Sequence, residues 1–374
     1  MRPDESLDHS REVGAHSAPS PYAVKQQLQN WATDLGFQQL DIANTELTQD
    51  EERLRQWLQN GLHADMDYMA AHGTKRTRAA ELVEGTICVI SARMNYLTQP
   101  NQSALKSLQR QNMGYVSQYA LGRDYHKLLR KKLQKLASRL TDLIGPFGYR
   151  VFTDSAPVME RAFARKAGLG WTGKHTNILE RHTGSWFFLG EIYTDLNLPI
   201  NRHETKNYCG SCTACIDVCP TAAIVRPYVV DARRCISYQT IENKGTIPVE
   251  LRNSIGNRIF GCDDCQLYCP WNRYAKLAVE PAFAPRENFR NADLLASFGW
   301  SEPEFLKKTE GSAIRRINHQ QWLRNIAVAI GNAPANQKYI NALKERLDTA
   351  AAILKEHIEW ALNAQYKRLK DENK

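Results

Sequence analysis

The cysteines are the first residues whose types and spacing promise chemistry. Cys209, Cys212, Cys215 and Cys219, in "CGSCTACIDVCP", are separated by two, two and three residues and end on Pro220. That is the bacterial ferredoxin pattern for holding a [4Fe–4S] cluster by thiolates; in two-cluster proteins the fourth cysteine of such a run serves the other cluster. A second run, "IFGCDDCQLYCPW", carries Cys262, Cys265 and Cys269 before Pro270, but Ile259 stands where its first cysteine would fall. Cys235, in "DARRCISY", is the remaining cysteine nearby and fills the gap. The crossover rule then gives Cys209, Cys212, Cys215 and Cys269 to cluster one, and Cys219, Cys235, Cys262 and Cys265 to cluster two. Zinc sites pair two short Cys-x-x-Cys knuckles across a longer loop, and disulfides belong to oxidising compartments; neither suits these runs. The ninth cysteine, Cys88 in "TICVISARMNY", reads as a structural residue of a buried strand.

Four further stretches carry candidate chemistry. Asp154 ends the strand-like "YRVFTD" and precedes Ser155, Ala156 and Pro157. In open α/β sheets ligands bind beyond the carboxyl ends of strands. Asp154 is therefore a candidate general acid if burial raises its pKa; the same residue type also caps helices. "RKAGLGWTGKHTNIL" sets three glycines ahead of Lys174 and His175. Its flexible backbone and adjacent cations suit a phosphate or the polar edge of a cofactor, though the spacing is not a Walker loop and an ordinary loop has the same composition. "LGRDYHKLL" offers Asp124, Tyr125 and His126, the start of an Asp-x-His-x-x-Gly cobalt-ligating motif, but Leu129 stands where the glycine belongs. "AIRRINHQQWLRN" places Arg315, Arg316, His319 and Arg324 near Trp322. Such a mix grips phosphates and stacks on bases; it is also the composition of a solvated helix face.

The elements that must position these residues follow from apolar periodicity. Val24, Leu28, Trp31 and Leu35 predict a helix over 22–36; Leu47, Leu54, Trp57 and Leu58 predict one over 46–60. "TICVISARMNY", "YRVFTD" and "GSWFFLGEIYTD" read as strands. "DYHKLLRKKLQKLASRLTDLIG" reads as a long helix with Leu129, Leu133, Leu136, Leu140 and Leu143 inward, ended by Gly145-Pro146. This alternation predicts an α/β domain over 21–200, followed by a turn-rich two-cluster domain over 201–280. An α-helical region over 281–374 has stripes at Leu323, Ile326, Ala327 and Ile330, then Ile340, Leu343 and Leu347, then Ile353, Leu354, Ile358, Ala361 and Leu362. Gly331-Asn332 is expected to cap the first of these helices. The pairing fits a HEAT-type unit or a small bundle packed on the body. Residues 1–20 are polar and expected to form a disordered tail.

With 374 residues, 43% of them apolar, the chain can build two or three domains around a real core. A net charge of +9 favours a polyanionic partner. No apolar run reaches membrane-spanning length, and the first residues show neither a secretory h-region nor paired arginines. The expected home is the cytoplasm, and nothing demands more than a monomer. The residues alone therefore describe a two-cluster electron conduit built into a larger α/β body, with no ligand motif for whatever accepts the electrons.

Several stretches resemble the epoxyqueuosine reductases: "GLHADMDYMAAHGTKR", "YALGRDYHKLL", "DSAPVMERAFARKAGLGWTGKH", "CGSCTACIDVCPTAAI", "DARRCISYQTIE", "GNRIFGCDDCQLYCPWNR" and "EGSAIRRINHQQWLRNIAVAIGNAP". The resemblance runs from about residue 22 to the end, and "GLGWTGKH" and "CDDCQLYCPWN" are its most specific parts. It implies an α/β cobalamin-binding domain of the reductive-dehalogenase type, a ferredoxin-like double [4Fe-4S] domain and a C-terminal HEAT-like region. It implies cobalamin without a protein histidine on cobalt, in keeping with the failed motif at Leu129. The implied substrate is epoxyqueuosine at the wobble position of tRNAs for Tyr, His, Asn and Asp, reduced to queuosine in the last step of its synthesis. An external donor would feed one cluster, then the other, then cobalt. By the same resemblance Asp154 is the proton donor; Ser237, Asp263 and Asp264 lie against the cobalamin, alongside Lys174 and His175; Arg315, Arg316 and Arg324 hold the anticodon stem-loop.

Two other readings share parts of this pattern. A reductive dehalogenase acting on a small organohalide shares the cofactors, but it normally carries an export signal and has no reason to be basic. A non-catalytic RNA-binding iron–sulfur protein would keep structural clusters and have no use for Asp154.

Overall fold

The computed structural model describes residues 19–201 and 205–372. The expected tail lies outside the described residues except for Pro19 and Ser20. Ser20 caps α1 (Pro21–Asp34), its side chain accepting from the Ala23 N–H, with a proline at the first turn. α1 buries Val24, Leu28 and Ala32. There follow β1 (Gln39–Asn44), α2 (Thr48–Gln59), β2 (Cys88–Asn95), β3 (Met113–Val116), α3 (Tyr125–Ile144), β4 (Tyr149–Phe152), α4 (Glu160–Lys166) and β5 (Phe187–Thr194).

The main sheet has the order β1-β2-β5-β4 and every pairing in it is antiparallel, with Ile90 opposite Ile42 on one side and Ile192 on the other. Successive strand residues point to opposite faces. Ile90 and Ile192 therefore meet Leu28 of α1 and Leu129 of α3, while Val89 and Tyr193 meet Phe163 of α4. Central β2 is buried along its whole length, Cys88 included, as expected of a structural cysteine. α3 keeps the predicted stripe at Leu129, Leu133, Leu136 and Leu140 and ends at Gly145, whose φ of 85° favours glycine. Leu143 departs from the expectation and is 39% exposed: periodicity gives the inward side of a helix but not where its cover stops.

The cysteine segment adds two helical turns, α5 (Ala214–Asp217) and α6 (Asp264–Leu267), and the strand β6 (Arg258–Phe260). β6 joins β3 and β7 (Ala292–Asp293) in a second sheet of order β6-β3-β7. Each of the three segments read as domains thus gives one strand to a shared sheet. Val116, Phe260 and Trp322 also share one hydrophobic cluster. The boundaries mark changes of composition, not gaps between cores.

The C-terminal helices are α7 (His319–Asn332), α8 (Gln337–Leu347) and α9 (Ala352–Glu372). α7 is buried almost all round rather than along one stripe, as befits a helix enclosed by its neighbours. Gly331 is not a cap. It lies inside α7, where an added Cβ would stand 2.3 Å from the Trp360 ring, so glycine permits the close approach of α9. Ile353, expected inward, is exposed at the start of α9. No helix among the described residues is long and apolar enough to cross a membrane.

Candidate active site

Asp154 sits on the turn between β4 and α4 with φ of 53°, a left-handed conformation uncommon for a residue with a side chain. Its neighbours impose it. The Asp154 N–H is held by the Glu160 carboxyl, and Arg130 donates to the Ser155 hydroxyl at 2.7 Å. Asp154 Oδ2 accepts from the Tyr125 hydroxyl at 2.6 Å and faces His126 Nε2 at 3.2 Å. The other ring nitrogen, Nδ1, lies 2.6 Å from Asp124 Oδ1. Asp124 also caps α3 by accepting from the His126 N–H, so helix start and imidazole orientation are fixed together. The capping alternative for Asp154 fails, because Met159 occupies the N-cap of α4. The Asp154 side chain is 53% exposed, open to an incoming group.

The charges are arranged differently from the expectation. Burial would raise the Asp154 carboxyl, but hydrogen bonds from His126 and Tyr125 and the charges of His126 and Arg316 outweigh it and hold it below the usual carboxylate range. The proton sits next door. Burial pulls His126 down, yet its bonds to Asp124 and Asp154 win and push it up to about 9. Burial and the charge of Asp154 push Glu160 up to about 8. Burial, then the charges of Glu160 and Asp154, drive Glu191 far above its ordinary value; it is fully buried and neither of its oxygens has a hydrogen-bond partner. The Asp-Tyr-His triplet, whose match to the cobalt-ligating motif fails at Leu129, forms a hydrogen-bonded chain with Asp154.

Of the three arginines expected to hold RNA, two are exposed and one is buried. Arg315 and Arg316 are exposed on the turn before α7. Arg316 pairs with Glu242 at 2.9 Å and lies over the Tyr68 ring, 5.7 Å from its centroid. Arg324 is 1% exposed and its guanidinium donates to the carbonyls of Gly245 at 2.6 Å, Gln239 at 2.8 Å and Asn243 at 2.9 Å. It fastens α7 to the cluster segment and is out of reach of RNA. His319 and Trp322 are buried as well. Helical periodicity turned them inward from a run that composition alone read as a surface.

The cluster-motif thiols lie close enough to one another for their charges to interact. Burial, then the proximity of Cys269, Cys209 and Cys212, pushes the Cys215 thiol up to about 11. Cys265 feels Cys235 and Cys219 most among the cysteines, and Cys262 feels Cys265. Among the described residues no three such side chains close to single-ion geometry. Lys174 does not wait for a phosphate: its ammonium donates to the carbonyls of Gly210 at 2.7 Å and Cys212 at 2.9 Å, bracing the first cysteine loop. His175 is buried and accepts from the Asn177 N–H through Nδ1, while Nε2 has no partner. Burial and nearby Arg161 act to keep it neutral, at about 4. Ser237 lies beside the Cys235 thiol and acts to lower its pKa against the rise caused by burial. Asp263 accepts from Ser117 at 2.5 Å, and from Tyr115 and Gln118 at 2.7 Å each, locking the cysteine segment to the strand β3 region. Asp264 is paired with Arg258 at 2.5 Å. Both carboxylates, expected to lie against a cofactor, are buried and committed to protein partners.

Comparison with known proteins agrees with this geometry. Residues 208–272 match a family described as a 4Fe-4S double cluster binding domain, and residues 76–155 match one described as epoxyqueuosine reductase QueG. A Pseudomonas aeruginosa protein named epoxyqueuosine reductase is 54% identical over 346 residues, covering 92% of this chain and 96% of that one. The Escherichia coli protein of the same name is 53% identical over 345 residues, covering 92% and 90%. The structure of epoxyqueuosine reductase from Streptococcus thermophilus superposes with a TM-score of 0.81 at 26% identity, over 92% of this chain and 90% of that one. An epoxyqueuosine reductase with a tRNA-Tyr epoxyqueuosine-modified stem loop superposes with a TM-score of 0.81 at 24% identity, over 92% and 100%. With more than half of the aligned residues identical to such relatives over 92% of its length, the chain belongs to the epoxyqueuosine reductase family.

Proposed function

We propose that this protein reduces epoxyqueuosine to queuosine at the wobble position of tRNA for Tyr, His, Asn and Asp, the last step of queuosine synthesis. The observation that carries the reading is the Asp124–His126–Asp154 chain opening onto solvent beside Arg316. The reaction takes an epoxide, two electrons and two protons to an alkene and water. An alkoxide is a poor leaving group, so a positioned acid is required where the C–O bond breaks.

Two quartets of thiols fit two [4Fe-4S] clusters, Cys209, Cys212, Cys215 and Cys269 for one and Cys219, Cys235, Cys262 and Cys265 for the other. One feature supports a cobalamin beside them: the buried His175 Nε2 has no hydrogen-bond partner. His175 and Ser237 would hold it, with Asp263 and Asp264, already bonded to protein partners, shaping the loop beside it. Bound there, cobalamin would supply the reduced cobalt that engages the epoxide, with the clusters passing electrons singly. The chain's own residues do the rest. Asp154 presents the His126 proton to the epoxide oxygen, Asp124 holds the imidazole, and Tyr125 fixes the carboxylate. Arg315 and Arg316 take anticodon stem-loop phosphates. The reading carries with it a cytoplasmic monomer served by an external electron donor.

The test is anaerobic turnover. The holoprotein with added cobalamin and a chemical reductant receives tRNA bearing epoxyqueuosine, and digested nucleosides are weighed. Loss of one oxygen only when cobalamin is present supports the reading; no change with both clusters intact and cobalamin bound sinks it.

A further inference from the structure

The two quartets differ in their access to solvent. Cys212 is the one exposed thiol of the eight; in its quartet Cys209 is of intermediate burial and Cys215 and Cys269 are buried, whereas Cys219, Cys235, Cys262 and Cys265 are all intermediate. The second quartet is the one nearer the proton-holding corner. Cys235 leads into the Tyr238–Glu242 turn, and Glu242 pairs with Arg316, whose charge reaches Asp154. Through Cys212, cluster one is therefore the cluster that reaches the surface.

Over it lies a patch of rings and cations. Tyr208, next to Cys209, is 37% exposed and sits 5.2 Å from Trp171 and 5.8 Å from Trp271. Trp271, two residues past Cys269, is 6.1 Å from exposed Tyr274. Arg181 lies 5.5 Å over Tyr208, and Arg273 lies 4.7 Å over Tyr274. Arg181, His182, Lys206 and Arg273 are all exposed. Among the described residues neither guanidinium is paired with a carboxylate. The exposed acid of the adjoining loop, Asp217, is held by the Thr213 hydroxyl at 2.7 Å. Cluster one thus has an aromatic, positively charged cover, with Trp171 buried beneath Tyr208 and the Cys212 loop at the surface.

We propose that this patch is where the electron donor docks, and that the donor is a small acidic protein carrying one electron at a time. The inference rests on the reductase reading above. Each encounter oxidises the carrier by one electron and reduces cluster one by one electron, and two encounters supply one epoxide reduction. Redox encounters use small interfaces, so a few rings suffice, and opposite charge raises the encounter rate. Rings and cations also suit single-stranded nucleic acid. The patch, however, covers the thiols of cluster one, while Arg316 and Asp154 lie toward those of cluster two.

The test uses the holoenzyme and the double variant Arg181→Glu/Arg273→Glu, both at exposed positions outside the catalytic corner. Bleaching of the cluster absorbance is followed by stopped flow, with dithionite or with a reduced acidic flavodoxin as probe. The proposal expects unchanged bleaching and turnover with dithionite, and at least a tenfold loss of the flavodoxin rate at low salt. The wild-type flavodoxin rate should also fall steeply as salt rises. Equal flavodoxin rates in variant and wild type overturn the proposal. So does a variant that keeps the flavodoxin rate but loses tRNA affinity, which marks the patch as an RNA surface. If wild-type enzyme bleaches with both reductants yet never converts the epoxide, the reductase reading fails while the docking comparison still stands.

Discussion

The cysteine segment and the Asp154 corner are both sites of chemistry, but they are encoded differently. The cysteines lie within a single stretch, from Cys209 to Cys269, and their intervals are set by what a cubane demands of a chain wrapping it. The corner gathers Asp124, Tyr125, His126, Asp154, Glu160 and Arg316 from distant parts of the sequence, and only the fold brings them together. A cofactor-spaced site can be read from one strip of sequence; a proton site built by tertiary contact cannot.

The sharpest way to break the comparison is to alter the corner and leave the cysteines intact. Asp154→Asn should lower turnover by roughly 10²- to 10⁴-fold, with the cluster spectrum unchanged. Equal turnover would remove Asp154 from the chemistry. Next in size is Arg324→Ala, which strands several buried carbonyls at a cost of about 3 kcal/mol. It should appear as a lower denaturation midpoint, with the salt dependence of tRNA binding unaltered. A weaker salt dependence with unchanged stability would return Arg324 to the RNA surface. A smaller effect is expected at Arg316→Ala, where the slope of log affinity against log salt should fall by about one. A slope identical to wild type would take Arg316 off the phosphates.

The same contrast explains what the sequence made legible. The double-cluster segment, the long helix α3, the buried strand of Cys88 and the position of Asp154 at a strand end are all readable, because each rests on local spacing. Three things are not. The charge state of Asp154 is set by His126 and Tyr125, which come from another element. The run from Arg315 to Arg324 looks uniformly basic, yet the turn at Ala313–Arg316 leaves two arginines outside and α7 carries the third inside. Lys174 was read as free for a ligand because nothing local shows that the Gly210 and Cys212 carbonyls come to meet it. Antiparallel pairing in the main sheet was equally hidden, since helix and strand alternation does not fix strand direction.

In the proposed mechanism the proton for the epoxide is stored on His126 and presented through Asp154. The pH dependence of single-turnover rate, in wild type and in His126→Gln, tests it most directly. The folded-state value of His126 is pushed up to about 9, so the charged imidazole persists through neutral pH and is lost only as pH rises through that value. The wild-type rate should therefore hold at neutral pH and fall as pH passes about 9. Glu160, pushed up to about 8, titrates in the same range, which is why the variant decides. The account predicts that His126→Gln is slower and has lost the limb near 9. The same alkaline limb in both proteins, or a rate that rises above it, would contradict the account.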